Sequence, residues 1–280
     1  MVPRRKLGKT GLSVSILGLG GGWTIEKPER AEEAEQIINR SIDLGVNYID
    51  TAPTYNAGGS ESNIGRVMEY RRDEVLLASK TLDRSYDGTM KLLEQSLKRL
   101  HTDYLDLYQV HNVRTPEDLK GAFAANGAVK ALEELKNQKV IRFAGITGHR
   151  DPDILLRGIK EYPFDCILMF LNAADIHYYP FQNKLLEEAV RQNMGIIAMK
   201  VTSEKRIFRD DGITSMKQAL NYVYSLPVSM AIVGTSNMAE LEENVRIANE
   251  FEPLPEAEMK RLELLTEPYA SEPNYTKYYK

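Results

Sequence analysis

The 280-residue chain predicts a (β/α)8, or TIM, barrel preceded by a β-hairpin, and three observations carry that reading. Short apolar runs alternate with amphipathic, helix-patterned stretches to make eight strand-plus-helix units. The ends of the apolar runs recur roughly every 25–36 residues, close to the ~31 obtained when a ~250-residue barrel is divided by eight. The runs themselves are short and apolar, as parallel strands covered by helices should be. No Pro/Gly/Ser linker or low-complexity segment interrupts the pattern, so residues 1–280 are expected to form a single domain.

In chain order, RRKLGKTGLSVS comes first. Its turn at Gly8-Lys9-Thr10-Gly11 separates two short runs and predicts a β-hairpin, which would plug the bottom of the barrel. VSILGLGGG is the first barrel strand, followed by a helix from Pro28 to Leu44. GVNYID is followed by a helix from Ser60 to Glu69, EVLLASK by one from Gly88 to Leu100, and YLDLYQVH by one from about Val129 to Asn137. IRFAGIT leads to a helix from Pro152 to Lys160, CILMFLN to one from Pro180 to Gln192, GIIAMK to one from Thr214 to Ser225, and MAIVGTS to one from Met238 to Asn249. After Pro255 a short helical pattern, MKRLELLT, precedes the tyrosine-rich EPYASEPNYTKYYK, read as a surface strap. The competing architecture is a doubly wound dinucleotide fold. Gly18, Gly20, Gly21 and Gly22 invite it, but their spacing is not G-x-G-x-x-G, and the segment from Trp23 to Pro28 intervenes before any helix.

Composition narrows the partners. Net charge is −4, with acids and bases interspersed and no basic stripe, which argues against nucleic acid. No apolar stretch approaches the ~20 residues of a membrane span, and the basic N-terminus lacks the apolar segment and cleavage site of a signal peptide. A cytoplasmic protein is expected. The one cysteine, Cys166, lies in an apolar run and reads as core filler. The four histidines, His101, His111, His149 and His177, show no metal-ligand spacing, so no metal is expected.

The chemistry sits at the ends of three successive strands. GVNYID ends at Asp50, with Tyr55 five residues on; EVLLASK ends at Lys80; YLDLYQVH ends at His111. An acid, a phenol, a lysine and an imidazole delivered to the carboxyl end of a parallel barrel make a proton-transfer site. Singly, each has an ordinary structural reading: a solvated lysine, a loop histidine, a rim tyrosine, a helix-capping aspartate. Their joint placement favours the functional one.

Over nearly its whole length the sequence resembles the aldo-keto reductase superfamily. The segments that carry the likeness are RRKLGKTGLSVSILGLGGG, GVNYIDTAPTYNAGGSESNIG, EVLLASK, SLKRLHTDYLDLYQVH, KVIRFAGIT and AIVGTSNMAELEEN, in order and at the right spacing. The resemblance implies NAD(P)H-dependent reduction of aldehyde and ketone carbonyls, with a catalytic tetrad of Asp50, Tyr55, Lys80 and His111. Those roles are chemically sound. A carbonyl receiving hydride needs a proton on oxygen. Tyrosine, with a reference pKa near 10, is a reluctant donor, and a neighbouring ammonium at Lys80 would favour its phenolate. Asp50 would keep a buried Lys80 charged, and His111 would orient the carbonyl oxygen.

The resemblance also implies cofactor contacts, and here the sequence departs from the family pattern. The Ser-Asn pair after the fifth strand reads Thr147-Gly148, followed by His149; the sixth-strand Gln falls on Leu168, with Asn172 as a nearby polar substitute. The aromatic that stacks on nicotinamide falls on Met199, which either packs on that ring or fills the core, and Lys200 follows it. Gly234, Thr235 and Ser236 open the last barrel helix, whose N-terminus suits a phosphate. Glu243 and Asn244 match the adenine-contacting pair. The bases that hold a 2′-phosphate are replaced by Gly234 and Glu240, while Lys200, Lys205, Arg206 and Arg209, in or after the seventh strand, either supply charge instead or form a solvated basic loop. NADP(H) is the expected cofactor and NAD(H) the alternative. Trp23, Asn112 and the loop of residues 113–126 are expected to line a pocket for a small carbonyl substrate. Thr147-Gly148-His149 with FLNAADIH is similar to a bacterial branch of the superfamily, some members of which end in a Cys-rich iron–sulfur segment that this chain lacks. The competing functions are a nicotinamide-nucleotide-sensing interaction module with weak reductase activity and, last, a hydrolase using Asp50 and Glu61, which leaves Tyr55 and Lys80 without roles.

Overall fold

A computed structural model describes residues 1–272. The chain opens with an antiparallel hairpin, β1 (Arg4–Lys6) and β2 (Ser13–Ser15). Eight parallel strands follow: β3 (Leu17–Gly20), β4 (Tyr48–Asp50), β5 (Leu76–Thr81), β6 (Leu105–Val110), β7 (Ile141–Gly148), β8 (Cys166–Phe170), β9 (Gly195–Met199) and β10 (Met230–Gly234). They lie side by side in sequence order, and β10 returns to β3 with Ala231 opposite Leu17 and Gly234 opposite Gly20, closing the barrel.

Helices return the chain from one strand to the next. They are α1 (Ala31–Asp43), α2 (Gly59–Arg71), α3 (Tyr86–Leu100), α4 (Pro116–Ala122), α5 (Ala128–Asn137), α6 (Pro152–Glu161), α7 (Lys184–Arg191), α8 (Met216–Ser225) and α9 (Met238–Asn249), with α10 (Glu256–Ala270) after the last unit. Their apolar faces pack on the outer faces of the strands. In α1 the buried Ala34, Ile37, Ile38, Ser41 and Ile42 recur at helical spacing. Among the described residues no helix is long and apolar enough to cross a membrane.

The barrel interior is a second core, built in layers because alternate residues of each strand point inward. One layer contains Tyr48, Ala78, Leu107, Leu168, Ile197 and Met230. Leu7 and Val14 of the hairpin join it from below, and Lys9 donates its backbone N–H to the Asn193 carbonyl at 2.6 Å, so the hairpin does plug the bottom. Cys166 is buried in the same core, as expected of filler. Two residues beyond Tyr48, Ala78 and Leu107 along their strands stand Asp50, Lys80 and Gln109. The period of two therefore puts a polar layer directly above an apolar one.

Three boundaries differ from the sequence reading. Helix α4 falls in the segment read as a pocket loop; Thr115 and Asp118 form a reciprocal capping box there, with Pro116 at its first position. Helix α7 starts at Lys184 rather than Pro180, a tight turn at Asp175–His177 occupying part of the approach. Helix α10 runs on through Pro268 to Ala270, and the Tyr269 hydroxyl donates to the Ile207 carbonyl at 3.0 Å. The last eight residues of the tail lie outside the described chain.

Candidate active site

The polar layer above the core places an ion pair in the barrel mouth. Lys80 donates from Nζ to the Asp50 carboxylate and, at 2.7 Å, to the Thr51 carbonyl. The other Asp50 oxygen accepts from Gln109 Nε2 at 3.2 Å. Both members of the pair are buried. The chain turns sharply after β4. Thr51 is fixed by its N–H on the Ala78 carbonyl and by a 2.7 Å hydroxyl contact with Ser60. A 3-10 turn then begins at Tyr55, and the Lys80 ammonium lies 5.1 Å from the centre of the Tyr55 ring.

Burial alone would push the lysine toward neutrality. The Asp50 carboxylate and the Tyr55 phenol outweigh it and hold Lys80 above its ordinary range, so the ammonium persists. Burial raises Asp50, against the pull of Lys80 and Gln109. Burial also raises the Tyr55 phenol; Lys80 draws it down and Asp50 pushes it up. Lys80 thus acts on the phenol in the direction that the sequence suggests, while desolvation sets the net direction.

His111 follows β6 and is held by its backbone. Its N–H donates to the Thr81 carbonyl at 2.8 Å, and its carbonyl accepts from the Arg84 guanidinium at 3.0 Å. Its ring lies 6.1 Å from that of His149, which follows β7. Burial, then the charge of Lys80, push His111 well below the usual imidazole range, so it is neutral. Gln109 Oε1 is buried without a hydrogen-bond partner, and three more buried polar atoms near these strand ends also lack one: His111 Nδ1, Asn112 Oδ1 and Thr147 Oγ1. Buried polar atoms are ordinarily satisfied, and these three are unused hydrogen-bonding capacity.

The Thr147-Gly148 departure has a steric cause. The Val113 N–H donates to the Thr147 carbonyl at 2.9 Å, drawing the loop after β6 over the end of β7. A side chain at Gly148 would place its Cβ 2.6 Å from the Val113 carbonyl oxygen, so the position has no room for the amide that the resemblance expects.

A cavity of about 770 Å³ opens beside this layer; its wall includes Asp50, Tyr55, His149 and Met199 and, from α9, Glu240, Glu243 and Asn244. Of the remaining sequence-predicted residues, Trp23, Lys200 and Gly234 also line it. Gly234 is a glycine because a Cβ there would collide with the Trp23 indole. Lys80, His111, Asn112, Thr147, Asn172, Thr235 and Ser236 stand outside that lining. Asn172 is not the polar substitute on the wall that the sequence suggests. Its amide donates to the Lys200 carbonyl at 3.0 Å and the Ser203 hydroxyl at 3.1 Å, which fixes the loop after β9. Leu168 is interior core.

The seventh-loop bases separate. Lys200 pairs with Glu204 at 2.9 Å, and Arg209 turns away to Glu272 at 2.7 Å and to the Tyr269 ring. Arg206 lies 3.7 Å from Glu204. Of the four candidates Lys200 and Lys205 line the cavity, Lys205 pairing with Glu240 at 2.8 Å and lying 5.6 Å from the Trp23 ring. His149 and Phe208 line the wall without having been assigned a role from sequence. His149 directly follows the Thr-Gly pair and was legible as a neighbour; Phe208 carries no local signal. Among the described residues no group of three or more His, Cys, Asp or Glu is placed to hold a metal ion.

The sequence model of the aldo/keto reductase family matches residues 17–208. An uncharacterized oxidoreductase of Bacillus subtilis, YqkF, is 29% identical over 93% of this chain and 95% of its own length. The holo structure of an aldo-keto reductase from Bacillus halodurans, AKR11C1, superposes with a TM-score of 0.80 at 24% identity, covering 98% of this chain and 100% of that one. An aldo-keto reductase from Klebsiella pneumoniae, solved in complex with NADPH, superposes with a TM-score of 0.77 at 22% identity, covering 95% and 96%. At those identities the two structures speak to the fold.

The two histidines at these strand ends generate a direct test. Burial, with Lys200 and Lys80 nearby, pushes His149 down to about 3. In NMR spectra assigned with a His149→Gln variant, the His149 ring signals are expected to stay constant between pH 8 and 5. A midpoint near the ordinary ~6.5 would contradict the enclosed, cation-flanked site.

Proposed function

The chain belongs to the aldo/keto reductase family and is an oxidoreductase, and on that premise we propose that it reduces aldehyde and ketone carbonyls to alcohols with a nicotinamide dinucleotide, Tyr55 acting as the general acid. The observation that carries the reading is the buried Asp50–Lys80 pair beside a phenol that faces a cavity. A buried ammonium paired with one carboxylate and set against a tyrosine ring has an evident use: it stabilises negative charge that develops on the phenol oxygen.

The residues fit the cofactor at its reactive end. Met199 offers a polarizable flat-ring contact on the wall. The unpartnered Thr147 hydroxyl and Asn112 carbonyl lie at the neighbouring strand ends, where a carboxamide needs a donor and an acceptor. A reduced nicotinamide bound there would supply hydride to the carbonyl carbon. Tyr55 gives its proton to the oxygen as charge develops. Lys80 offsets the phenolate left behind, and Asp50 keeps Lys80 charged without touching the substrate. His111, neutral and with Nδ1 unpartnered, orients the carbonyl oxygen by a hydrogen bond. The cavity, whose wall includes Glu240, Glu243 and Asn244 of α9, suits a dinucleotide. NADP(H) is the cofactor we propose first, as bound by the Klebsiella relative, with NAD(H) also accepted.

Tyr55→Phe is expected to reduce kcat by roughly 10²–10⁴-fold, the usual worth of a general acid, and to leave dinucleotide affinity nearly unchanged. Steady-state kinetics on an aldehyde panel, with fluorescence titration of the dinucleotide, checks both. Retention of more than about half of the activity on every substrate would refute the role, half being far outside the range for a lost general acid.

Lys80→Met is expected to be at least as damaging, because the phenol loses the charge that stabilises its anion. The Lys80→Met and Tyr55→Phe double variant should then lose far less than the sum of the single effects on kcat, since the two groups work as a unit. Additive losses would show that they act independently.

A further inference from the structure

We infer that Glu240 occupies the position of an adenosine 2′-phosphate with its own carboxylate, so that this enzyme discriminates weakly between NADPH and NADH. The inference rests on the dinucleotide reading above and concerns the part of the same cavity wall that α9 supplies. Two donors converge there from different parts of the chain. The Ser236 backbone N–H, at the start of α9, donates to Glu240 Oε2 at 2.9 Å, and Lys205 Nζ, from the loop after β9, donates to Oε1 at 2.8 Å. A carboxylate in the first turn of a helix is favourably placed, and Asn237 caps that turn by accepting from the Glu240 N–H at 3.0 Å. Lys205 also lies against the Trp23 ring, and the Thr24 hydroxyl donates to the Ser236 carbonyl at 2.7 Å, so the loop after β3 braces the same corner.

The donors that a phosphate would need are therefore already used by an anion belonging to the protein. The surrounding charge does not favour a second one. The ionisable groups on the cavity wall away from Asp50 and Tyr55 include Lys200 and Lys205, set against Glu26, Glu204, Glu240 and Glu243. Lys200 pairs with Glu204 and Lys205 with Glu240. An incoming 2′-phosphate must displace Glu240 from both donors and then lie beside it. A ribose 2′-hydroxyl meets no such penalty, because it donates to a carboxylate; acidic residues discriminate in this way in other dinucleotide folds. Glu240 stays ionised, since Lys205 and Ser236 outweigh its burial.

The test is calorimetric binding of 5′-ADP and adenosine 2′,5′-bisphosphate to the wild-type enzyme, Glu240→Gln and Lys205→Met, with melting curves to establish that each variant is folded. In wild type the two ligands are expected to bind within about tenfold of each other. Glu240→Gln removes the competing negative charge and one of the two acceptor oxygens without a net change in side-chain size, and should tighten the bisphosphate by tenfold or more relative to 5′-ADP. Lys205→Met leaves Glu240 without its cation and should weaken the bisphosphate selectively. A wild-type preference for the bisphosphate above about a hundredfold, or a Glu240→Gln effect that is equal on both ligands, would overturn the inference while leaving the reductase reading intact. Failure of both ligands to bind would instead remove the dinucleotide reading on which it rests. As a kinetic counterpart, Glu240→Arg should raise the ratio of kcat/KM for NADPH to that for NADH, and an unchanged ratio would place Glu240 away from the phosphate.

Discussion

A lysine ammonium buried in the barrel mouth constrains much of what surrounds it. Removing such a charge from water costs several kcal/mol even after relaxation, and a structure tolerates it only with a partner charge and further hydrogen bonds. Lys80 has both, from the Asp50 carboxylate and the Thr51 carbonyl. Those partners arrive only if β4 and β5 are adjacent and parallel in the observed register, with Asp50 opposite Ala78 two residues before Lys80. Gln109 of β6 lies opposite Lys80 and reaches the other Asp50 oxygen. Three successive strands are thereby tied at their carboxyl ends by one polar layer resting on an apolar one. The fold makes the charge tolerable, and the charge sets the electrostatics of the barrel's carboxyl end.

Two parts of the cavity's surroundings differ in their physics. Beside the polar layer the imidazoles of His111 and His149 are neutral, and the unpartnered polar atoms close to the cavity are single ones suited to an amide or a carbonyl. Desolvation there strengthens each remaining electrostatic term, which is what a site that stabilises developing charge requires. Elsewhere on the wall charges pair, Lys205 with Glu240 of α9 and Lys200 with Glu204 within the loop after β9, partly open to solvent. Such pairs contribute little to stability. They decide which charges an arriving ligand meets.

The barrel was legible because its two periodicities are simple: apolar strands of fixed length, and amphipathic helices between them. Asp50, Lys80 and His111 were legible for the same reason, since each ends an apolar run and position along a barrel strand dictates position in space. Residues whose role depends on a neighbouring loop were less so. Asn172 has the polarity of a cofactor contact, yet its amide is directed to the Lys200 carbonyl and the Ser203 hydroxyl. Gly148 looked like a missing side chain, whereas the Val113 carbonyl leaves no space for one. Lys205 and Arg209 are four residues apart in one basic loop, and only the fold shows that one reaches Glu240 and the other Glu272. Helix α4 had a local signal in its Thr115–Asp118 capping box, but seven residues are too few for an amphipathic period to stand out.

The central claim is that Lys80, held charged by Asp50, biases the Tyr55 phenol toward its anion against the opposing effect of burial. Carbon-13 NMR of ring-labelled tyrosine, with the resonance assigned by its loss in Tyr55→Phe, measures that bias without turnover. The comparison is between wild type and the charge-neutral Asp50→Asn, Lys80→Met double variant, which leaves no unpaired buried charge. The account predicts that Tyr55 ionises at a lower pH in wild type than in the neutral pair. An identical midpoint in the two proteins would contradict it.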